Sequence, residues 1–196
     1  MGTVSHKIGH LLARFLSKPT HVHSAAPVTT ALDLRACLRL ADVVLVEGNT
    51  RLSTAIKYLT QSTWSHAALY VGMRVRHIGQ DAEPCFVEAD VMEGVRLVGL
   101  EGFTGYHIRI CRPIGLNNMN RNKVAQFVIE RIGHQYDLKN VIDLARYLIP
   151  TPPVPIHFRR KMLTLGSGDP TRAICSTLIA QAFQSIHYPI LPVVSE

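Results

Sequence analysis

The periodicity of apolar and polar positions becomes informative about the fold from about residue 40 onward. ADVVLVEG (41–48) is a nearly unbroken apolar run closed by Glu-Gly, which predicts a buried strand, and Leu52, Ala55, Ile56 and Leu59 then recur at the spacing of one helix face. SHAALYVGM (65–73), PCFVEAD (84–90), GVRLVGL (94–100) and YHIRICRP (106–113) read as four more strands. Gly, Asp or Pro separates them and most of the gaps leave no room for a helix, so an antiparallel sheet is expected. Val124, Phe127, Val128 and Ile132 predict a helix over 118–132, and Val141, Leu144, Ala145 and Leu148 another over 137–149. The stretch 150–170 carries Pro150, Pro152, Pro153, Pro155 and Pro170 and supports no regular element. After it, Cys175, Leu178, Ile179, Ala182, Phe183 and Ile186 follow the i, i+3, i+4, i+7, i+8, i+11 pattern of an amphipathic helix. Strands followed by helices predict an α+β domain.

Composition narrows this picture. A chain of 196 residues with 47% hydrophobic and 18% charged content suits one domain with a packed core and argues against disorder over most of its length. The formal charge of +7 is uneven, because residues 1–40 carry Lys7, Arg14, Lys18, Arg35 and Arg39 against Asp33 alone. Residues 17–30, rich in Ser, Thr, His and Pro, read as a linker, so 1–39 is expected to be a basic arm and 40–196 the domain. Ile8, Leu11, Leu12, Phe15 and Leu16 recur at helical spacing, which makes the arm a short basic amphipathic helix that packs on its own domain or touches a membrane surface. Arg159, Arg160 and Lys161 form a second basic cluster, but no recognised motif and no interleaved aromatics accompany either one, and nucleic acid is not an expected partner.

Cys37, Cys85, Cys111 and Cys175 are widely spaced, without a C-x-x-C or a zinc-ligand pairing with histidine. His21 and His23 lack further ligands and read as part of a solvated tract, so no metal site is expected. No run reaches the roughly 18 apolar residues of a spanning helix. The segment from Lys7 to Lys18 is interrupted by His10 and Arg14 and lacks the unbroken apolar core of a secretory signal. Reduced thiols in a cytoplasmic protein are the expectation.

One constellation suggests chemistry. A thiol becomes a strong nucleophile when its pKa is lowered by a helix N-terminus or a neighbouring imidazole. Cys175 follows the Gly166-Ser167-Gly168-Asp169-Pro170 breaker and opens the last helix, although it also fits simply as the first residue of the buried face. Among ten histidines, His66 is the best-placed base. It opens an apolar strand, and the small Ala67 and Ala68 beside it would let a helix end approach. A hydrogen-bonded core histidine is the plainer alternative. The third group that orients a catalytic imidazole has Glu88 as its candidate, on a strand beside that of His66; Asp90 or Glu93 could serve instead, and Phe86, Glu88 and Asp90 could equally form a solvent face. His107, His134, His157 and His187 lack comparable neighbours in the sequence.

TWSHAALYVG, FVEAD, GVRLVGL, GHQYDL and ICSTLIA, taken in this order, resemble the YiiX/YebB type of circularly permuted NlpC-like cysteine hydrolases, distant relatives of papain. The similarity runs over roughly 40–190. It implies a permuted papain-like fold in which the His precedes the Cys, with Cys175 as nucleophile, His66 as base and Glu88 as orienting residue, acting through a thioacyl intermediate without a cofactor. It further implies that Tyr136, within GHQYDL, is a substrate-binding residue, and Trp64, next to the Ser-His pair, is expected to line the cleft. Relatives commonly carry an acidic residue two positions after the Cys, where this chain has Thr177, so substrate preference does not carry over. Peptide-like amides and acyl lipids are the two substrate classes implied, and the basic arm favours a lipid at a membrane surface. A lipid- or partner-binding module that keeps the fold without catalysis is the competing expectation.

Overall fold

The structure is a computed structural model that describes residue 18 and residues 30–74, 81–90, 93–134 and 174–190, with Ile174 and Cys175 described by backbone only. Its elements in chain order are α1 (Ala31–Cys37), β1 (Val43–Glu47), α2 (Arg51–Thr60), β2 (His66–Arg74), β3 (Glu83–Asp90), β4 (Gly94–Gly99), a 3-10 turn (Leu100–Phe103), β5 (His107–Cys111), α3 (Asn118–Ile129) and α4 (Ile174–Gln184). The five strands form one sheet in the order β4-β3-β2-β1-β5, and every neighbouring pair is antiparallel. The expected α+β class and each of the five expected strands are found. The expected helix at 137–149, the proline-rich stretch 150–170 and residues 1–17 of the arm lie outside the described residues.

Both faces of the sheet are covered. The first carries Ala67, Leu69, Val71, Cys85, Val87, Ala89 and Val95, packed against Val124, Ala125 and Val128 of α3 and Leu178, Ile179, Ala182 and Phe183 of α4. Complete burial of each Val, Leu or Phe here contributes about 1.5–3 kcal/mol relative to leaving it in water. The second face carries Val44, Val46, Ala68 and Phe86, closed over by Leu34 of α1 and by Leu100 and Phe103 of the 3-10 turn. That turn lies in the connection between the two edge strands, so the chain crosses the sheet there and caps its second face on the way.

Helix α1 falls within residues assigned to the arm by sequence. It is too short for its period to be read, and Leu34 is its only buried side chain. Its start carries a signal nonetheless: Thr30 Oγ1 accepts from the Asp33 N–H at 3.2 Å, a side-chain N-cap. The folded part of the chain therefore includes residues before 40. Lys18 also meets the domain, through a carbonyl that accepts from the Arg51 N–H at 3.1 Å at the start of α2.

The far end of α4 is anchored beside β5. Tyr188, just beyond the helix, donates its hydroxyl to the Ile114 carbonyl and accepts from the Ile114 N–H, both at 3.1 Å. Ile114 follows β5, whose last residue, Cys111, is paired with Val43. The end of α4 thus lies toward the Val43–Cys111 end of the sheet; the opposite end is where Val46 pairs with His66.

Candidate active site

The end of the sheet where Val46 pairs with His66 carries a cluster of polar side chains. His66 is the first residue of β2, and Ser65, buried just before it, anchors the strand start. The Ser65 N–H donates to the Val46 carbonyl at 3.1 Å, and its hydroxyl accepts from the Gly48 N–H at 3.0 Å. His66 Nε2 lies 2.7 Å from Glu88 Oε2 on the neighbouring β3. By register Ala68 stands opposite Glu88, so His66 and Glu88 are diagonal neighbours on one face of the sheet.

Glu88 is only 6% exposed. Burial on its own pushes the carboxyl pKa up, but the hydrogen bonds and charges of His66 and Arg96 outweigh this and hold it below the ordinary 4.5. Glu88 is therefore an anion at neutral pH. An ionised carboxylate only accepts, so His66 Nε2 must be the donor, and the neutral ring carries its proton there. This leaves Nδ1 as the basic nitrogen of the neutral imidazole.

Arg96 was not among the residues the sequence singled out. It lies on β4 directly opposite Glu88. Its Nε donates to Glu88 Oε1 at 2.8 Å and its Nη2 lies 2.7 Å from the same oxygen. Nη1 meets Glu93 Oε2 at 2.8 Å, and Nη2 is 3.9 Å from Asp90 Oδ2. Burial works against the guanidinium charge, but hydrogen bonds to Glu93 and Glu88 overcome it and raise the Arg96 pKa. Asp90 and Glu93, named by sequence as alternatives to Glu88, meet Arg96, and Glu88 is the carboxylate at hydrogen-bond distance from His66. Phe86 is fully buried, so the strand face it shares with Glu88 is no solvent face.

Cys175 is the second residue of α4, and its side chain lies outside the described part of the structure. Tyr136 lies outside the described residues altogether. Thr177 is half-buried, one turn-step before Leu178. Trp64, half-buried, stacks at a tilt on His107, with ring centroids 5.0 Å apart. His107 does have a carboxylate neighbour, contrary to the sequence reading: its Nδ1 lies 3.1 Å from Glu47 Oε2, while Lys57 Nζ approaches Glu47 Oε1 at 3.3 Å. The β1–β5 pairing sets His107 opposite Glu47, a relation between residues 60 positions apart that local pattern does not reveal.

Among the described residues no group of three or more His, Cys, Asp or Glu is arranged to hold a metal ion, and no helix is long and apolar enough to cross a membrane. No disulfide joins Cys37, Cys85 and Cys111.

No curated protein matches the chain. A protein-family model described as the permuted papain-like amidase enzyme, YaeF/YiiX, C92 family, matches residues 38–147. The matched span contains His66, Glu88 and Arg96 and ends before α4. With more than half of its length matched, an antiparallel sheet of the five expected strands and a buried His–carboxylate pair inside the match, the chain belongs to the permuted papain-like amidase family.

Proposed function

We propose that the protein is a cysteine-dependent hydrolase that cleaves an amide bond, with Cys175 as nucleophile, His66 as general base and acid, and Glu88 as the residue that orients the imidazole. The observation that carries this reading is the 2.7 Å contact between His66 Nε2 and a buried, ionised Glu88, inside the span that the amidase family model matches. By register His66 and Glu88 share the second sheet face, whereas α4 packs on the first. A thiol on α4 can then meet the imidazole only past the end of β2, and His66 occupies its first residue.

Chemically, His66 Nδ1 takes the thiol proton, and the positive end of the α4 dipole favours the thiolate that results. The thiolate adds to the carbonyl carbon. Collapse of the tetrahedral intermediate expels the amine, which takes the proton back from His66, and water activated by the same imidazole hydrolyses the thioester. Glu88 stabilises the imidazolium that forms twice in the cycle. Amide substrates agree with the family description, and an acyl ester would react by the same steps. Tyr136 and Trp64 are the side chains proposed to contact the substrate.

Iodoacetamide labelling followed by peptide mass spectrometry tests this, because the chain supplies its own reference thiol: Cys37 is exposed and Cys85 buried. Cys175 is expected to alkylate faster than Cys37 at neutral pH, with Cys175→Ala folded and inactive on amide substrates. Equal rates for the two thiols would remove the activated nucleophile.

A further inference from the structure

The carboxylate of Glu88 has two oxygens and two partners, one on each neighbouring strand. Oε2 faces His66 on β2, and Oε1 takes both Nε and Nη2 of Arg96 on β4, at 2.8 and 2.7 Å. The two donors converge on one oxygen instead of bridging both, so the fork fixes the carboxylate's rotation without competing for the oxygen that His66 uses. We propose that Arg96 is a positioning residue of the active site: it locks Glu88 so that Oε2 alone is presented to His66 Nε2, and so sets the orientation and tautomer of the base. This rests on the assignment of Cys175, His66 and Glu88 as the reacting set.

Arg96 is itself held. Its Nη1 meets Glu93 at 2.8 Å, and the Glu93 N–H donates to Asp90 Oδ1 at 3.0 Å, which ties Glu93 to the end of β3. Thus the guanidinium is braced from the turn on one side and braces Glu88 on the other. A purely structural ion pair would need neither the unequal use of the two Glu88 oxygens nor a second carboxylate behind the cation. A carboxylate that lost Arg96 would be free to rotate about its last torsion, and His66 would lose the fixed acceptor that sets the orientation of its ring. The charged groups around the pair are Arg96 from β4, Glu93 from the turn, and Asp90 from β3.

The test uses the full-length protein and reads the thiol directly, so it needs no substrate. Cys175 alkylation by iodoacetamide is followed from about pH 5 to about pH 10 in wild type, Arg96→Met and Arg96→Lys, with Cys37 as internal reference and circular dichroism as the check on folding. Arg96→Met is expected to lower the neutral-pH rate about tenfold or more and to move the pH profile, since the base is no longer held in place. Arg96→Lys keeps the charge but cannot place two donors on one oxygen, and is expected to fall between the other two. A folded Arg96→Met with the wild-type rate and profile overturns the role of Arg96 while leaving the nucleophile intact. If the Met variant does not fold, a wild-type profile for Arg96→Lys overturns it equally. A wild-type Cys175 no faster than Cys37 instead removes the reading on which the role rests.

Discussion

Ala68 stands directly across the β2–β3 ladder from Glu88, and because its side chain ends at Cβ, the Glu88 carboxylate reaches past it to His66 two residues earlier on the same face. A larger residue at 68 would fill that path. Ala68 is fully buried among Val44, Val46 and Phe86, so there is no solvent into which the added atoms could turn.

Ala68→Leu is therefore expected to do two separable things. Overpacking the second face should cost about 1–3 kcal/mol, read as a lower urea midpoint. Separating His66 from Glu88 should slow neutral-pH alkylation of Cys175 beyond the effect of a destabilising change elsewhere on that face, such as Val44→Ala. Equal alkylation in the two variants would show that the diagonal contact is not what tunes the thiol.

The depressed pKa of Glu88 makes stability depend on pH in a stated direction. A carboxyl that is more acidic folded than unfolded contributes stability that is fully present above its ordinary 4.5 and is lost as the pH falls through the lower, folded value. Urea midpoints measured between about pH 6 and pH 3 should fall toward the acid end, and the fall should be shallower in Glu88→Gln, which has no proton to bind there. Identical slopes would mean that other carboxylates account for the acid sensitivity.

What the sequence revealed and what it hid have a common physical basis. Strands with period-two patterning punctuated by Gly, Asp and Pro are local signals, and all five were legible. His66 and Glu88 stood out because a polar residue in an otherwise apolar strand requires a partner. Arg96 did not, because one arginine in GVRLVGL looks like the solvent side of a strand, and only the pairing of β4 with β3 sets it opposite Glu88. The same holds for His107 and Glu47, joined by the β1–β5 pairing. α1 was hidden for another reason: one buried Leu in seven residues shows no period, and the Thr30–Asp33 cap was its only mark.

Gly48 is the tight point behind His66. A Cβ there would overlap Ser53 Oγ and sit 2.8 Å from Ser65 Oγ, the hydroxyl that accepts from its own N–H. Gly48 lies outside the left-handed region, so the cost of Gly48→Ala is steric and not a matter of backbone conformation. We expect about 1–3 kcal/mol of destabilisation in thermal or urea unfolding. Adding Ser53→Ala should recover part of it by removing the nearest atom, and no recovery would show that the displacement of Ser65, not of Ser53, dominates.

Asp42 and Arg112 form the ion pair on which the other end of the sheet depends. Asp42 is 0% exposed, and its carboxylate accepts from Arg112 Nε at 3.0 Å, from Arg112 Nη2 at 2.7 Å and from the Arg39 N–H at 2.8 Å. The same Nη2 donates to the Cys37 carbonyl, so one guanidinium joins the end of α1, the entry to β1 and the exit of β5. Arg112→Met keeps most of the stem's apolar bulk but leaves a buried charge with only a backbone N–H. This is expected to lower the urea midpoint, by less than for a fully enclosed pair, because the arginine itself is partly exposed and water can enter where it stood. Asp42→Asn in the Arg112→Met background should then restore part of the loss by removing the unpaired charge, giving a double-mutant cycle in which the two changes are strongly non-additive. If the double variant is as unstable as the sum of the singles, the penalty comes from lost packing and lost carbonyl contacts at the α1–β5 junction, and not from the charge of Asp42.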